Sequence, residues 1–270
     1  MLSALRDVYV PRSSWKIAKL VRLVRTIENW PRTLVDHLGL SRGNYICRLR
    51  DGARFEVRSG TDDRDILFEL FMDRVYPVEL SEGSTVVDVG AHIGCFTIPA
   101  ARQGARVFSF EPAPANFIAL QRNVELNRLQ NVVLFRAAVD GRGERRHTFL
   151  PDDHAHTARY TFRPRRGAQT LEVACISLDD VYHENHLERV DVLKIDAEGS
   201  EYEILYSAGA DTLTRTRMII VECDTFAERA DSSIQGLAAY LEKAGFVTGT
   251  RDPYLYAIRP GAAGIDLGGV

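Results

Sequence analysis

The stretch Thr85–Thr97, which reads TVVDVGAHIGCFT, sets the frame for the rest of the chain. Its β-branched start is typical of a strand, and the two glycines that follow predict a tight turn into a helix. Unpaired N–H groups at the start of that helix, beside backbone without a Cβ, favour a ligand site. The alternative is a strand–helix turn in which glycine serves packing alone.

The spacing in this turn is D-x-G-x-x-x-G, which differs from the dinucleotide fingerprint G-x-G-x-x-G. Asp88 at the end of the strand would repel a pyrophosphate, whereas it suits a ligand that carries a cationic amine. The motif therefore predicts a nucleoside-type ligand rather than a dinucleotide.

The composition is that of an ordinary globular protein of 270 residues, with 45% hydrophobic and 26% charged residues and a net charge of −3. That charge gives no general attraction for nucleic acid, so we expect no nucleic-acid partner. The four cysteines are widely separated, which argues against zinc and disulfides and fits a reducing cytoplasm. No apolar run approaches the ~18 residues of a membrane span and no secretion signal is recognisable, so we expect a cytoplasmic protein.

From residue 84 the hydrophobic pattern alternates between strand and helix, which predicts an α/β fold with a mainly parallel sheet. The link between the last two predicted strands is too short for a crossover, so they should form an antiparallel C-terminal β-hairpin. We expect this domain to span 81–260, followed by a tail at 261–270. The predicted strands are 85–89, 106–110, 131–138, 190–195, 217–223, 245–250 and 253–259, and the predicted helices are 94–102, 113–128, 200–208 and 232–244.

Residues 1–80 should form an N-terminal helical and β-hairpin cap. Asp51-Gly52 lies between two alternating runs in Tyr45–Arg58, which is a strong hairpin signal, and a helix is predicted at 63–75. Before residue 28 a basic segment has apolar residues at helical spacing, namely Ile17, Leu20, Val21, Val24 and Ile27. This helix would pack on the domain or on the second subunit of a homodimer, or residues 14–30 would rest on an anionic membrane surface.

Residues 141–170 interrupt the alternation. Their two strand-like flanks should form a hairpin, and the long polar tip at 151–168 predicts an inserted substrate loop. Its arginines and aromatic residues favour a lid over a polar or anionic acceptor. Its two histidines leave a metal site open, and a solvated loop is the plain alternative. The residues concerned are Arg159, Arg163, Arg165, Arg166, Tyr160, Phe162, His154 and His156.

Glu111 ends the second strand, which should lie beside the strand of the opening motif. A carboxylate in that position can accept hydrogen bonds from both hydroxyls of a ribose. Together with Asp88, this predicts adenosine joined to a sulfonium and an amino acid, as in S-adenosylmethionine. Ala137 and Ala138, which follow the third strand, are small enough for an adenine ring to lie flat against them.

Lys194 and Asp196 are two residues apart on the fourth strand, so both side chains project from the same face. A buried lysine beside an aspartate is costly unless it is paired, so one interpretation is a structural ion pair. The other is a catalytic pair, because open α/β sheets bind ligands at the carboxyl ends of their strands. Glu222 and Asp224 follow the fifth strand at the same edge, where carboxylates could activate a hydroxyl or bind Mg²⁺.

Six segments carry a family resemblance in this order: TVVDVGAHIGCFT, VFSFEPAPANFIALQRNVELN, FRAAVDGRGE, ISLDD, DVLKIDAEGSEYEIL and IIVEC. Over about Asp62–Arg259 the chain resembles the FkbM-type methyltransferases. The resemblance implies a class I, Rossmann-like fold and S-adenosylmethionine-dependent methyl transfer to a hydroxyl of a sugar, glycan or natural product. It carries the family's cofactor positions over to Asp88, Gly90, Gly94, Glu111 and Asn116. It also makes His92 a wall of the cofactor site rather than a metal ligand.

On this basis Asp196 is our candidate to accept the proton of the acceptor hydroxyl, with Lys194 holding its geometry. Glu198 and Glu222 are second choices, and a reaction without metal is favoured over one that uses Mg²⁺. An RNA 2′-hydroxyl methyltransferase and a non-catalytic cofactor-binding module stay open as alternatives. The candidate cofactor contacts are Asp88, Gly90, Ala91, His92, Gly94, Thr97, Glu111, Pro112, Asn116, Ala138 and Asp196.

Overall fold

A computed structural model describes the protein over residues 20–40, 43–73, 75–76, 78–141, 146–149, 171–223 and 233–261. The strands are β1 (Tyr45–Arg48), β2 (Arg54–Val57), β3 (Thr85–Val89), β4 (Arg106–Phe110), β5 (Val132–Phe135), β6 (Ala138–Val139), β7 (Arg146–Phe149), β8 (Leu171–Ile176), β9 (Val192–Ile195), β10 (Met218–Glu222), β11 (Val247–Arg251) and β12 (Tyr254–Ile258). The helices are α1 (Trp30–His37), α2 (Asp63–Asp73), α3 (Thr97–Arg102), α4 (Pro114–Leu126), α5 (Leu178–Glu184), α6 (Glu201–Ser207), α7 (Ala210–Arg215) and α8 (Ile234–Lys243).

A seven-stranded sheet in the order β5-β4-β3-β9-β10-β12-β11 forms the centre of the molecule. The strands from β5 to β10 in this order run parallel to their neighbours. Nearly every side chain of β3, β9 and β10 is buried, which is expected when apolar residues cover both faces of a parallel sheet. The prediction of a mainly parallel α/β sheet is confirmed.

The last two strands form the predicted antiparallel hairpin, but the final strand lies inside the sheet rather than at its edge. β12 pairs antiparallel with both β10 and β11. Its sequence YLYAI is almost completely buried, whereas the edge strand β11, with the sequence VTGTR, is mostly exposed. This order sets Tyr254 directly opposite Glu222, at the end of the sheet that carries the cleft.

The cap packs on the sheet domain through a shared apolar cluster. This cluster joins residues of the β1–β2 hairpin and α2 to residues around α3 and α4, including Phe55, Leu67, Ile98 and Ala119. Side-chain amides of α4 also close the free edge of β2: Asn123 accepts a hydrogen bond from the backbone of residue 56 at 2.6 Å. The cap and the region around α3 and α4 therefore share an apolar core over the residues described.

The prediction of an apolar helix face at residues 17–27, before α1, is wrong in part. Residues 20–26 are helical, but Leu20 and Val21 are 46% and 44% exposed. The buried residues are Leu23 and Ile27, because Ile27 forms a β-bridge to Leu49 and turns that side toward the hairpin. Residues 14–19 lie outside the described ranges, so membrane contact and dimer formation stay predictions.

The flanks of the inserted loop form the predicted hairpin, with β7 antiparallel to β8. The tip at 151–168, with its arginines and histidines, lies outside the described residues. The predicted strand 131–138 is interrupted: β5 follows β4, and then β6 leaves the central sheet to pair with β8. The tail beyond residue 261 also lies outside the described ranges.

Three short helices, α1, α5 and α7, were missed by the sequence prediction because six to eight residues show too little periodicity. The α5 start did carry a local signal, since the Ser177 hydroxyl caps it by accepting a hydrogen bond from the N–H of Asp180 at 3.1 Å. Among the described residues, the helices lack the combined length and hydropathy that a membrane crossing requires.

Candidate active site

An open cleft lies at the carboxyl ends of β3, β4, β9 and β10, with about 1040 Å³ of empty space including its mouth. Open α/β sheets bind their ligands in this position. Its wall combines residues of the sheet with three residues of the cap region. The lining residues are Ile66, Leu70, Tyr76, Val89, Gly90, Ala91, His92, Cys95, Phe96, Phe110, Glu111, Pro112, Asn116, Ala137, Ala138, Val139, Lys194, Asp196, Ala197, Glu198, Glu222 and Tyr254.

Asp88 lies beneath the cleft floor and is fully buried. Its Oδ2 accepts a hydrogen bond from the Thr97 hydroxyl at 2.6 Å, and its Oδ1 lies 3.3 Å from Lys194 Nζ. A buried carboxylate needs such a partner, because its desolvation is otherwise uncompensated. The cation beside Asp88 is therefore Lys194, in contrast to the predicted direct contact with a cationic ligand.

Lys194 is a buried ammonium that links Asp88 to the cleft. Its Nζ donates to the carbonyl oxygens of Gly90 at 2.7 Å and Val89 at 3.2 Å, and lies 3.4 Å from Asp196 Oδ2. Burial lowers the pKa of Lys194, but the carboxylates of Asp88 and Asp196 raise it by more, so the net direction is upward. Lys194 is thus charged at neutral pH and cannot itself accept a proton.

Asp196 is the exposed member of this network. Its side chain is 31% exposed and lines the cleft, while one carboxylate oxygen faces Lys194. Glu198 and Glu222 line the same end of the cleft and are half-buried. The arrangement gives a carboxylate whose orientation is fixed by a buried cation and whose surface is accessible to a ligand.

Glu111 is buried at the other end of the cleft, where backbone donors hold both of its oxygens. Oε2 accepts from the N–H of His92 and Oε1 from the N–H of Ala113, both at 2.8 Å. Burial raises the pKa of Glu111 to about 7, although these two hydrogen bonds act in the opposite direction. Asn116 Nδ2 also lies 3.5 Å from Oε1, so Oε2 is the oxygen with a second lone pair available for a hydroxyl donor.

Gly90 brings bare backbone to the cleft between these two ends. Its φ is +75°, and a Cβ there would lie 1.7 Å from the carbonyl oxygen of Asp196. The N–H groups of Gly90 and Ala91 both donate to the Phe110 carbonyl at 3.0 Å. Only glycine fits this close approach of β3 to β9.

The structure brings most of the predicted site residues together on one wall. Asp88, Gly94 and Thr97 are the exceptions, since they lie behind it. The space above the Cα of Gly94 is filled by Leu120 of α4, which would lie 2.8 Å from a Cβ. The predicted residues that line the cleft are Gly90, Ala91, His92, Glu111, Pro112, Asn116, Ala138, Lys194, Asp196, Glu198 and Glu222.

Sequence reasoning missed two tyrosines at the end of the cleft near Asp196. The rings of Tyr76 and Tyr254 are 5.7 Å apart in an edge-to-face arrangement, and Lys194 Nζ lies 5.9 Å from the Tyr76 centroid. No motif marks either tyrosine in the sequence, because their position depends on how the cap and β12 pack.

Glu201 was also missed, although it stands in the quoted motif. Its buried carboxylate accepts hydrogen bonds from the N–H groups of Ala197 and Gly199 at 2.9–3.0 Å. It therefore shapes the loop that follows Asp196, in which Glu198 has a left-handed φ of +51°. The available signal in the sequence was a pair of acidic residues, Glu198 and Glu201, three positions apart with Gly199 between them.

The described residues contain one group of three ligand-type side chains close enough for a single metal ion: Asp62, Asp63 and His92, with atoms within 4.8 Å of one another. Arg58 already takes both oxygens of Asp63, at 2.6 and 2.8 Å. A guanidinium in that position opposes the binding of a second cation. Asp224, which was predicted together with Glu222 as a carboxylate that could bind Mg²⁺, lies outside the described residues.

Comparison with known proteins decides the family. A family model described as the methyltransferase FkbM domain matches residues 88–248. The chain belongs to the FkbM methyltransferase family. The parallel sheet closed by an antiparallel hairpin is accordingly the class I methyltransferase fold.

Relatives of this FkbM family member include proteins of different stated activities. It is 30% identical to the 31-O-demethyl-FK506 methyltransferase FkbM of Streptomyces tacrolimicus, across 76% of this chain and 90% of that one. It is 28% identical to the hexuronic acid methyltransferase AglP of Haloferax volcanii, across 75% and 82%. A tRNA (guanine(37)-N(1))-methyltransferase of Danio rerio is 43% identical, across only 47% of this chain and 26% of that one.

Proposed function

We propose that the protein is an S-adenosylmethionine-dependent O-methyltransferase that acts on a hydroxyl of a sugar, glycan or natural product. The observation that carries this proposal is a single cleft with a buried ribose-type acid, Glu111, at one end and the Lys194–Asp196 pair at the other. Relatives named for 31-O-demethyl-FK506 and for hexuronic acid support the acceptor class.

The residues of the cleft fit the donor. Glu111 would accept a ribose hydroxyl on Oε2, Gly90 leaves bare backbone beside the ligand, and Ala138 gives a flat surface for a purine. When bound, the cofactor supplies a methyl group carried on a sulfonium centre. The half-buried Tyr76 and buried Tyr254 add the aromatic wall that is common in small-molecule sites.

Asp196 would take the proton of the acceptor hydroxyl while the hydroxyl oxygen bonds to the methyl group and the bond from that methyl group to sulfur breaks, so that the oxygen does not keep a positive charge. Lys194 would hold the carboxylate in place through the 3.4 Å contact, and Asp88 would keep Lys194 charged from below. Asp88, Lys194 and Asp196 thus form a chain of ionic contacts that leads from the buried core to the cleft, where the acceptor hydroxyl would bind.

A mass-spectrometric assay tests the proposal: the purified protein is incubated with S-adenosylmethionine and panels of monosaccharides, glycosides and polyketide alcohols, and separately with RNA. We expect an added 14 Da methylene equivalent on an oxygen of one panel, with S-adenosylhomocysteine formed in equal amount and with full activity after exhaustive chelation. Activity that disappears on chelation and returns with Mg²⁺ would favour the metal-dependent alternative. Methylation of RNA alone, or binding of the cofactor with no acceptor in any panel, would contradict the proposal.

The pKa of Glu111 predicts how cofactor affinity depends on pH. Hydroxyl donors favour the ionised carboxylate, so binding should lower a pKa that stands at about 7 in the free protein. By linkage the Kd for S-adenosylhomocysteine should rise as the pH falls through 7, by up to about tenfold between pH 8 and pH 6. Isothermal titration calorimetry measures this change.

Glu111→Gln is the control for that dependence, since it keeps the shape of the side chain and removes the titration. It should bind more weakly than wild type at pH 8 and show a flatter pH profile. The same slope in wild type and Glu111→Gln would mean that another group, on the ligand or the protein, controls the pH dependence.

A further inference from the structure

An ion pair between Arg58 and Asp63 of the cap approaches the cleft from behind its wall. Arg58 Nη2 lies 2.6 Å from Asp63 Oδ1, Nε lies 2.8 Å from Oδ2, and the backbone N–H of Arg58 donates to Oδ2 at 2.9 Å. Asp63 is fully buried. Burial raises the pKa of Asp63, but the hydrogen bonds from Arg58 lower it by more, so the carboxylate is charged. We call this pair the Arg58–Asp63 clamp.

The clamp fixes the orientation of Asn116 on the cleft wall. Arg58 Nη2 donates to Asn116 Oδ1 at 2.8 Å. A guanidinium has donors only, so the amide must turn its oxygen toward Arg58 and its NH₂ toward Glu111. In that orientation Asn116 Nδ2 lies 3.5 Å from Glu111 Oε1.

The clamp also lies against the side chain of His92, whose backbone N–H donates to the other oxygen of Glu111 at 2.8 Å. His92 Nε2 lies 3.6 Å from Asp63 Oδ1. His92 has a φ of +51°, a backbone conformation that a non-glycine residue keeps only where its surroundings impose it. Burial lowers the pKa of His92 to about 4, so the imidazole beside Asp63 is neutral at neutral pH.

We propose that the Arg58–Asp63 clamp positions Glu111 for the methyl donor, fixing one carboxylate oxygen through Asn116 and the other through His92. Arg58 and Asp63 do not line the cleft, so they act as positioning residues. Both also precede residue 88, where the family match begins, so the cap completes the donor site from outside the matched domain. The inference rests on the proposed function only in taking Glu111 as the acid that binds the ribose.

Calorimetry with S-adenosylhomocysteine tests the clamp in the full-length protein. Asp63→Asn removes the charge, and Arg58→Lys keeps the charge but loses the two-pronged contact. Each variant should raise the Kd for this probe about tenfold, the scale of one lost hydrogen bond to a charged group, while the KM for the acceptor stays unchanged. Arg58→Lys preserves a cation beside Asp63, so it serves as the readout if Asp63→Asn does not fold.

The matched control is Arg122→Gln. Arg122 of α4 pairs with Glu56 of β2 at 3.5 Å, so it also joins the cap to α4. Unlike Arg58, it is exposed, and this pair is not part of the contacts that lead through Asn116 or His92 to Glu111. This variant should bind the probe like wild type. A loss equal to that of Arg58→Lys would reduce the clamp to general support of the cap and would overturn the proposal.

A double-variant cycle with Glu111→Gln separates positioning from general stability. If the clamp acts through Glu111, then Arg58→Lys should weaken binding much less in the Glu111→Gln background than in wild type. If the losses of affinity in Arg58→Lys and Glu111→Gln are additive in the double variant, the proposal is overturned. It is also overturned if Mg²⁺ or Zn²⁺ tightens binding of the probe by wild type, because Asp63 would then be a metal ligand. A wild type that does not bind the probe would refute the proposed function, whereas unchanged clamp variants of a binding wild type would refute this inference alone.

Discussion

Replacing Asp196 by asparagine should lower kcat for methyl transfer by about 10²–10⁴-fold, the usual contribution of a general base. The substitution keeps the size and shape of the side chain but removes the proton acceptor. Lys194 retains Asp88 at 3.3 Å and two carbonyl oxygens as partners. Its buried ammonium therefore still has a negative charge and hydrogen-bond acceptors beside it. The Kd for S-adenosylhomocysteine should therefore stay close to that of wild type, which confines the loss to the chemical step.

Three further variants make this test specific. Glu198→Gln and Glu222→Gln alter the other carboxylates at that end of the cleft and should cost less than Asp196→Asn. Asp211→Asn alters an exposed acid of α7 that pairs only with Arg215 among its described ion pairs, and it should leave kcat unchanged. Near wild-type turnover by a folded Asp196→Asn would remove Asp196 from the mechanism, and a larger loss in Glu222→Gln would transfer the role to Glu222.

Replacing Lys194 by methionine should lower the free energy of unfolding by about 3–5 kcal/mol, the typical cost of leaving a buried charge without its partner. Asp88 is fully buried and would lose its ammonium, keeping the hydroxyl of Thr97. Because the free energy of unfolding of natural proteins is only about 5–15 kcal/mol, the midpoint temperature of thermal unfolding should fall markedly. Methyl transfer should also be lost, because Asp196 would no longer be held. Calorimetric or fluorescence-detected unfolding measures the first effect.

Lys243→Met is the matched control, since Lys243 is exposed in the last turn of α8 and its substitution should change stability little. Adding Asp88→Asn to Lys194→Met should recover part of the lost stability, because the uncompensated carboxylate is then removed. A Lys194→Met protein as stable as wild type, or a double variant less stable than the single one, would mean that the ammonium does not compensate Asp88.

The strand–turn–helix motif and the two acidic strand ends were predictable because their signals are local. Val86 and Val87 are β-branched, Gly90 has a positive φ of the kind that glycine readily adopts in a turn, and Glu111 follows its strand directly. Such features depend on backbone preferences within a few residues. The α/β alternation and the terminal antiparallel hairpin followed from the same kind of information.

The direct contact predicted for Asp88 illustrates where local information stops. The sequence places a carboxylate at the end of a central strand, but it does not tell which way the side chain faces. In the structure that direction is set by Lys194 of the neighbouring strand, which pairs with Asp88 on the side of the cleft and leaves Asp196 to face the cleft. The pairing of β3 with β9 across a crossover decides which acid is structural and which is accessible.

The sequence by itself determined the fold class, the strand–turn–helix motif at Thr85–Thr97 and the acids at the strand ends, because short-range periodicity and glycine stereochemistry encode them. Only the tertiary structure decided that Tyr76 and Tyr254 line the cleft near Asp196 and that Arg58 reaches Asn116, a residue 58 positions away along the chain. Those contacts arise from the packing of the cap and the last strand on the sheet. The free energy of that packing is spread over a whole core, so no single motif in the sequence records it.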